Sequence, residues 1–264
     1  MRRPVYILVL VAALLGGMPR PAAAAWDLLL LFGRTFPTYD DRLTFRIPSP
    51  AIPGVDVNVV GTPVLTAEGD MTFGIALTAE VGVIGVEGRL DSAGLGFDLT
   101  GARYELTGVS PPLAGLSGSL VLPNGHFDAD RLNLLSLNLR LRTPGPVGLV
   151  VSGGVTYLPN FDVGGSVPIT LQVDSASGEA RVRLVVAPQE SRHRVGVNAG
   201  GGLRIGGGRV ALVAEGRAFY FREYELTFAS DDDDPLLNQL LASFEPVRFR
   251  PLIITAQVGL LVRF

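Results

Sequence analysis

From residue 252 to the end of the chain, apolar side chains take every second position. Leu252, Ile254, Ala256, Val258, Leu260, Val262 and Phe264 share one parity, while Thr255, Gln257, Gly259 and Arg263 share the other. Successive side chains on a strand point to opposite faces, so this segment predicts one continuously apolar face and one small or polar face. The same split separates Leu135, Leu137, Leu139 and Leu141 from Ser136, Asn138, Arg140 and Arg142. It separates Val147, Leu149, Val151, Val155 and Tyr157 from Gly148, Ser152, Gly154 and Thr156. Val195, Val197, Ala199, Leu203 and Ile205 stand against Arg194, Asn198 and Arg204 in the same manner. These runs exceed the common globular strand of about five or six residues. They match a tilted strand crossing a bilayer, which takes about 9–11.

Three connections are short and rich in Gly or Pro: Asp91-Ser92-Ala93-Gly94, Thr143-Pro144-Gly145-Pro146 and Gly206-Gly207-Gly208. Long polar connections lie near 36–71, 107–131, 158–193 and 224–249, so short and long alternate along the chain. Transmembrane barrels have this asymmetry, with tight periplasmic turns and longer outer loops. Strands are expected near 26–35, 75–90, 95–106, 132–142, 147–157, 194–205, 209–223 and 251–264, eight in all. The expected fold is all-β, a closed antiparallel up-and-down transmembrane barrel. Residues 158–193 hold a further hairpin pattern, Val167 to Val173 and Val182 to Val186 about a turn at Ser177-Gly178. That hairpin either projects above the membrane or adds two spans, making ten. Leu43 to Ile47 reads as a short edge strand.

Closure follows from the solvent, because an unpaired backbone group in hydrocarbon costs several kcal/mol. The strand parities keep Arg140, Arg142, Arg204, Arg217 and Arg263 off the lipid face. The inward positions predict a polar lumen network built from Glu87, Arg89, Asn138, Arg140, Arg142, Glu215, Arg217 and Gln257, with Ser136, Asn198 and Thr255 beside them. Two acids among several Arg predict ion pairs filling a lumen that eight strands leave only side-chain wide. Two runs are irregular. Apolar parity changes near Val81-Gly82-Val83, which reads either as a Gly-centred bulge or as an upper half standing above the membrane, and shifts again around Gly101.

The chain has 264 residues, 33 Gly and no Cys, with a formal charge of −3 and every one of its 22 basic residues an Arg. With only 18% charged residues and no basic excess, nucleic-acid binding is not expected, and thiolate metal sites are excluded. Residues 1–25 read as a cleaved secretory leader: Arg2-Arg3, an apolar run from Val5 to Leu15, then an Ala tract ending at Ala25. The barrel domain is then 26–264. Its 19 Arg, after loss of three with the leader, face 25 acids, for a charge of −6.

Taken together, the leader, the eight alternating segments and the ending Val258-Gly259-Leu260-Leu261-Val262-Arg263-Phe264 resemble the small outer-membrane β-barrels of Gram-negative-type bacteria, the OmpA, OmpX and OmpW sort. The likeness runs over 75–157 and, more closely, 194–264, where Val195 to Tyr220 is similar to a penultimate hairpin. It implies an outer-membrane location and contact with membrane lipid and lipopolysaccharide. It also implies recognition by the barrel-assembly machinery through Val258, Leu260, Val262 and Phe264. A periplasmic peptidoglycan-binding domain of the OmpA kind is not expected.

Chemistry is sparse. Asp231 to Asp234 precede a Pro235 to Leu241 segment and suit the positive end of a short helix; the EF-hand spacing is missing. His126 and His193 are the only histidines, both in outward loops. Ser191 and His193 would share a strand face, but no third orienting group or nucleophile elbow accompanies them. No cofactor is expected. The reading is a non-enzymatic integral outer-membrane barrel with an envelope-structural, surface-interaction or limited small-molecule passage role. The alternatives are a narrow porin or apolar-solute carrier, and an outer-membrane lipid-modifying hydrolase.

Overall fold

A computed structural model describes residues 25–37, 43–44, 55–111, 114–128, 131–173, 176–231, 238, 241 and 246–264. The segment expected to be a leader, 1–25, lies outside the described residues apart from Ala25, which opens the first strand. In chain order the strands are β1 (Ala25–Pro37), β2 (Leu43–Thr44), β3 (Val55–Val60), β4 (Val64–Val81), β5 (Ile84–Thr100), β6 (Ala102–Gly108), β7 (Ser117–Leu122), β8 (Gly125–Asp128) and β9 (Leu132–Arg142). There follow β10 (Val147–Leu158), β11 (Val167–Val173), β12 (Ala176–Val186), β13 (Arg194–Ile205), β14 (Val210–Tyr220), β15 (Tyr224–Ser230), β16 (Val247–Phe249) and β17 (Leu252–Arg263).

Eight of these close a ring. Around it run β1, β17, β14, β13, β10, β9, β5 and β4, and β4 returns to β1, every neighbour antiparallel. The first and last strands seal it from Asp27 opposite Arg263 to Pro37 opposite Ile253. Closure leaves the ring no unpaired edge. The β2 strand pairs with β4, and β5 carries β8, both above the ring.

One expected turn is misplaced. Asp91 to Gly94 is extended backbone within β5, where Asp91 pairs with Gly74 on one side and Leu134 on the other. The turn is Gly82-Val83, with Val81 paired to Ile84 and Gly82 at φ +66°. The parity change there is no bulge. In a two-residue hairpin the flanking pair shares a face but differs by three in number, so the outward set passes from Ile75 and Leu77 to Ile84 and Val86. The strands expected at 75–90 and 95–106 are accordingly 64–81 and 84–100. The irregularity at Gly101 marks where the chain leaves β5 for β6 in a second sheet.

That second sheet is built from the four long connections, in the order β16-β15-β12-β11-β7-β6-β3. The ten-span alternative is thereby overturned: β11 and β12 pair with β7 and β15, not with ring strands. Ser177 and Gly178 sit in β12 opposite Gln172 and Leu171, because the hairpin tightens to Val173 opposite Ala176. One apolar core joins the two sheets. It unites Phe97, Leu132, Leu134, Phe219 and Ile253 of the ring strands with Tyr104, Leu184, Tyr224, Leu226 and Phe249 of the second sheet. Phe97 meets Phe249 edge-on at 5.1 Å, and Phe161 lies 4.5 Å from Tyr224. The loop end of the ring is therefore roofed. The segment expected to be helical after Asp231 is mostly outside the described residues; Asn238 and Leu241 are helical, and Leu241 is buried in this core.

Candidate functional site

The polar parity of the ring strands converges on the lumen. Glu87, Arg89, Asn138, Arg140, Glu215, Arg217 and Gln257 are all buried there, and Arg142 is partly buried at its edge. Arg89 grips Asp91 with two nitrogens, Nε to Oδ2 at 2.7 Å and Nη2 to Oδ1 at 3.0 Å. Its Nη1 donates to Glu215 Oε1 at 2.6 Å, and its Nη2 also reaches Gln257 Oε1. Across the lumen, Arg217 donates to Glu215 at 2.9 Å, Glu87 at 3.2 Å and Ser152 at 2.6 Å, and to Asn198. Glu87 also accepts from Asn138 at 2.9 Å and Arg140 at 3.5 Å. Thr72, Thr78 and Thr156 take further donors from Gln257, Arg140 and Asn198.

This central layer holds three guanidinium groups, Arg89, Arg140 and Arg217, against three carboxylates, Glu87, Asp91 and Glu215. Such pairing is what burial demands, since stranding one charge costs about 3–5 kcal/mol. Small residues make the room: a Cβ on Gly200 would stand 3.1 Å from Arg217 Nε. Sequence reasoning missed three of the acids. Asp91 passed for a turn residue, Glu80 adjoined the supposed bulge, and Asp27 stands at the head of an unbroken apolar run. Glu80 and Asp27 form a second cluster toward the turn end. Arg263 clasps Asp27 through two 2.7 Å bonds and reaches Glu80 at 2.6 Å, and Arg142 meets the same Glu80 oxygen at 2.7 Å. Leu29, Leu31, Ala76, Ala211, Val213 and Leu261 line an apolar wall between the two clusters.

The outside of the ring is the reverse. Leu137, Leu149, Leu212 and Val258 are 59%, 58%, 62% and 61% exposed. Ile75, Val86, Val197, Leu203 and Leu260 join them in one band, with Phe32 against Phe73 at 5.2 Å on its loop side. Water-soluble chains do not leave so large a contiguous apolar surface uncovered. A charged inside and a greasy outside around a closed ring is how strands cross an outer membrane. The chain is a small outer-membrane β-barrel protein. Val258, Leu260 and Phe264 of the final strand face its lipid side, with Val262 partly covered beside them.

No protein-family model matches the sequence, and neither does any curated protein. Among solved structures, this chain is similar at 12% identity to Ail, the attachment invasion locus protein of Yersinia pestis, solved with the heparin analogue sucrose octasulfate. That alignment covers 91% of this chain and 97% of Ail, at a TM-score of 0.31. A Pseudomonas aeruginosa FadL homologue aligns at 9% identity over 92% of this chain and 90% of its own, at a TM-score of 0.19. At those values neither likeness speaks to the ligands or partners of this barrel.

Two surface constellations complete the inventory. On β4, β5 and β8, above the ring, Glu68, Asp98 and His126 bring ligand atoms within 4.8 Å of one another. His126 Nδ1 lies 2.6 Å from Asp98 and Nε2 lies 3.1 Å from Asp128. The Asp98 contact, aided by Asp128, raises the His126 pKa above its ordinary 6.5. The trio has the donor chemistry for a divalent cation, and an imidazolium at His126 offsets only one of the three carboxylates Glu68, Asp98 and Asp128 around it. No sequence spacing signals it, because the members come from three strands. The second constellation is Ser191, whose Oγ lies 2.8 Å from His193 Nδ1. Both are at the exposed loop rim, and no carboxylate is bonded to this imidazole among the described residues.

Proposed function

We propose that this outer-membrane barrel is non-enzymatic and closed to ions, and that it serves envelope structure and surface interaction through its second sheet. The observation that carries this reading is the double obstruction of the lumen. A neutral layer of interlocked Arg and carboxylates crosses it, and an apolar core roofs its loop end. A porin needs a water-filled path, whereas eight strands leave space only for side chains. Lipopolysaccharide is the proposed lipid partner. An open cleft of about 890 Å³ at the outer rim sets Arg222 beside Val195 and Tyr220 of the lipid face, with Arg194 and Arg250 paired there to Glu190 and Glu223, so that a cation stands next to apolar surface as an anionic amphiphile requires. The outward apolar parity of Val258, Leu260, Val262 and Phe264 supports their proposed reading by the barrel-assembly machinery.

Conductance in planar bilayers tests the central part. Folded protein at high salt is expected to be electrically silent. Steady, reproducible unit conductance would show a path and revive the narrow porin.

A further inference from the structure

The turn end of the barrel carries a basic mouth whose charges are incompletely matched. A cavity of about 600 Å³ opens there between the Pro146 turn and the Gly206-Gly207-Gly208 turn, walled by Arg142, Arg204, Arg209 and Arg263. The two acidic side chains nearby are already committed, and Phe264 also borders the cavity. Asp27 holds Arg263 through both oxygens, and one Glu80 oxygen serves Arg142 and Arg263 together. Arg204 lies between them only 5% exposed, with its Nε buried and without a hydrogen-bond partner. No carboxylate among the described residues lies within ion-pair distance of it. A guanidinium cannot shed its proton to escape this cost, and an unpaired buried charge is among the most expensive features a protein can keep.

We propose that this mouth is a binding site for a phosphate-type oxyanion, with Arg204 as its anchor and Arg209 as its outer contact. A planar guanidinium matches two oxygens of such a group, and phosphate accepts from several Arg at once. Arg209, exposed in the turn, admits the anion from bulk, and the bare glycines leave the entrance unblocked. Outer-membrane barrels keep their short turns on the periplasmic side, so the ligand comes from there. Either a free phosphate or the headgroup of an anionic phospholipid in the inner leaflet supplies that chemistry. The site is independent of the surface role proposed above, which concerns the opposite end.

The test has two arms on the full-length folded barrel. In octyl glucoside, which has no phosphate, inorganic phosphate is titrated by calorimetry. In nanodiscs of phosphatidylcholine with phosphatidylglycerol, retained lipid is counted by native mass spectrometry. Saturable phosphate binding that weakens roughly tenfold in Arg204→Gln supports a free oxyanion ligand, that factor being the ordinary worth of a charge-assisted bond. Enrichment of phosphatidylglycerol that disappears in Arg204→Gln supports the headgroup. Should this variant lose the heat-sensitive gel mobility of a folded barrel, Arg209→Gln on the exposed turn carries the same comparison. Wild type and the folded variant behaving alike in both arms would overturn the proposal.

Discussion

At the scale of the residue, Glu87 is the hub of the lumen. It accepts from Asn138, Arg140 and Arg217, which belong to β9 and β14 on different sides of the ring. Removing its carboxylate in Glu87→Ala strands Arg140, whose carboxylate partner it is, and leaves Arg217 with Glu215 alone; the expected loss is about 3–5 kcal/mol. Urea unfolding in detergent micelles, followed by the single Trp, reads it. A loss under about 1 kcal/mol, the worth of an exposed pair, would contradict the network described. His126 gives a test in pH. Its pKa is raised in the folded state by Asp98 first, then Asp128, so the stabilisation is complete below 6.5 and fades as pH rises through the folded value. NMR titration of the imidazole should find a midpoint above 6.5 that falls toward it in Asp98→Asn. A midpoint indifferent to that substitution would remove Asp98 as the cause.

At the scale of the element, period-two alternation made most ring strands legible, because a barrel wall has two unlike solvents one residue apart. The inward placement of Glu215, Arg217 and Gln257 follows from it directly. Misreadings arose where a local signal imitated another. Asp91-Ser92-Ala93-Gly94 has turn composition, yet ladders on both sides hold it extended and its acid is needed by Arg89. Gly82, read as a bulge, makes the real turn at φ +66°. A Cβ there would touch nothing, so substitution acts on the backbone alone. Gly82→Val is expected to cost about 1–2 kcal/mol, and Gly82→Asn much less, in the same unfolding assay. Equal effects of the two would argue against a left-handed turn residue.

At the scale of the whole molecule, a ring in lipid and a second sheet above it share one apolar core. The second sheet was scarcely legible, since its strands are short and pair across long sequence separations: β7 with β11, and β12 with β15. The Glu68–Asp98–His126 cluster was hidden for the same reason. Leu184 is fully buried between the sheets, so Leu184→Asp should loosen the roof and leave the ring standing. Limited proteolysis should then cut within the long connections of the variant while it keeps heat-sensitive gel mobility. A variant as resistant as wild type would show that the two sheets do not share this core.

The central claim is that alternate residues of one strand face lipid and a polar lumen. The chain has no cysteine, so single cysteines at each position from 136 to 141 can be spin-labelled without background. In bilayers, oxygen accessibility should peak at 137, 139 and 141 and collapse at 136, 138 and 140. A flat profile, or peaks at the even positions, would contradict the barrel as described.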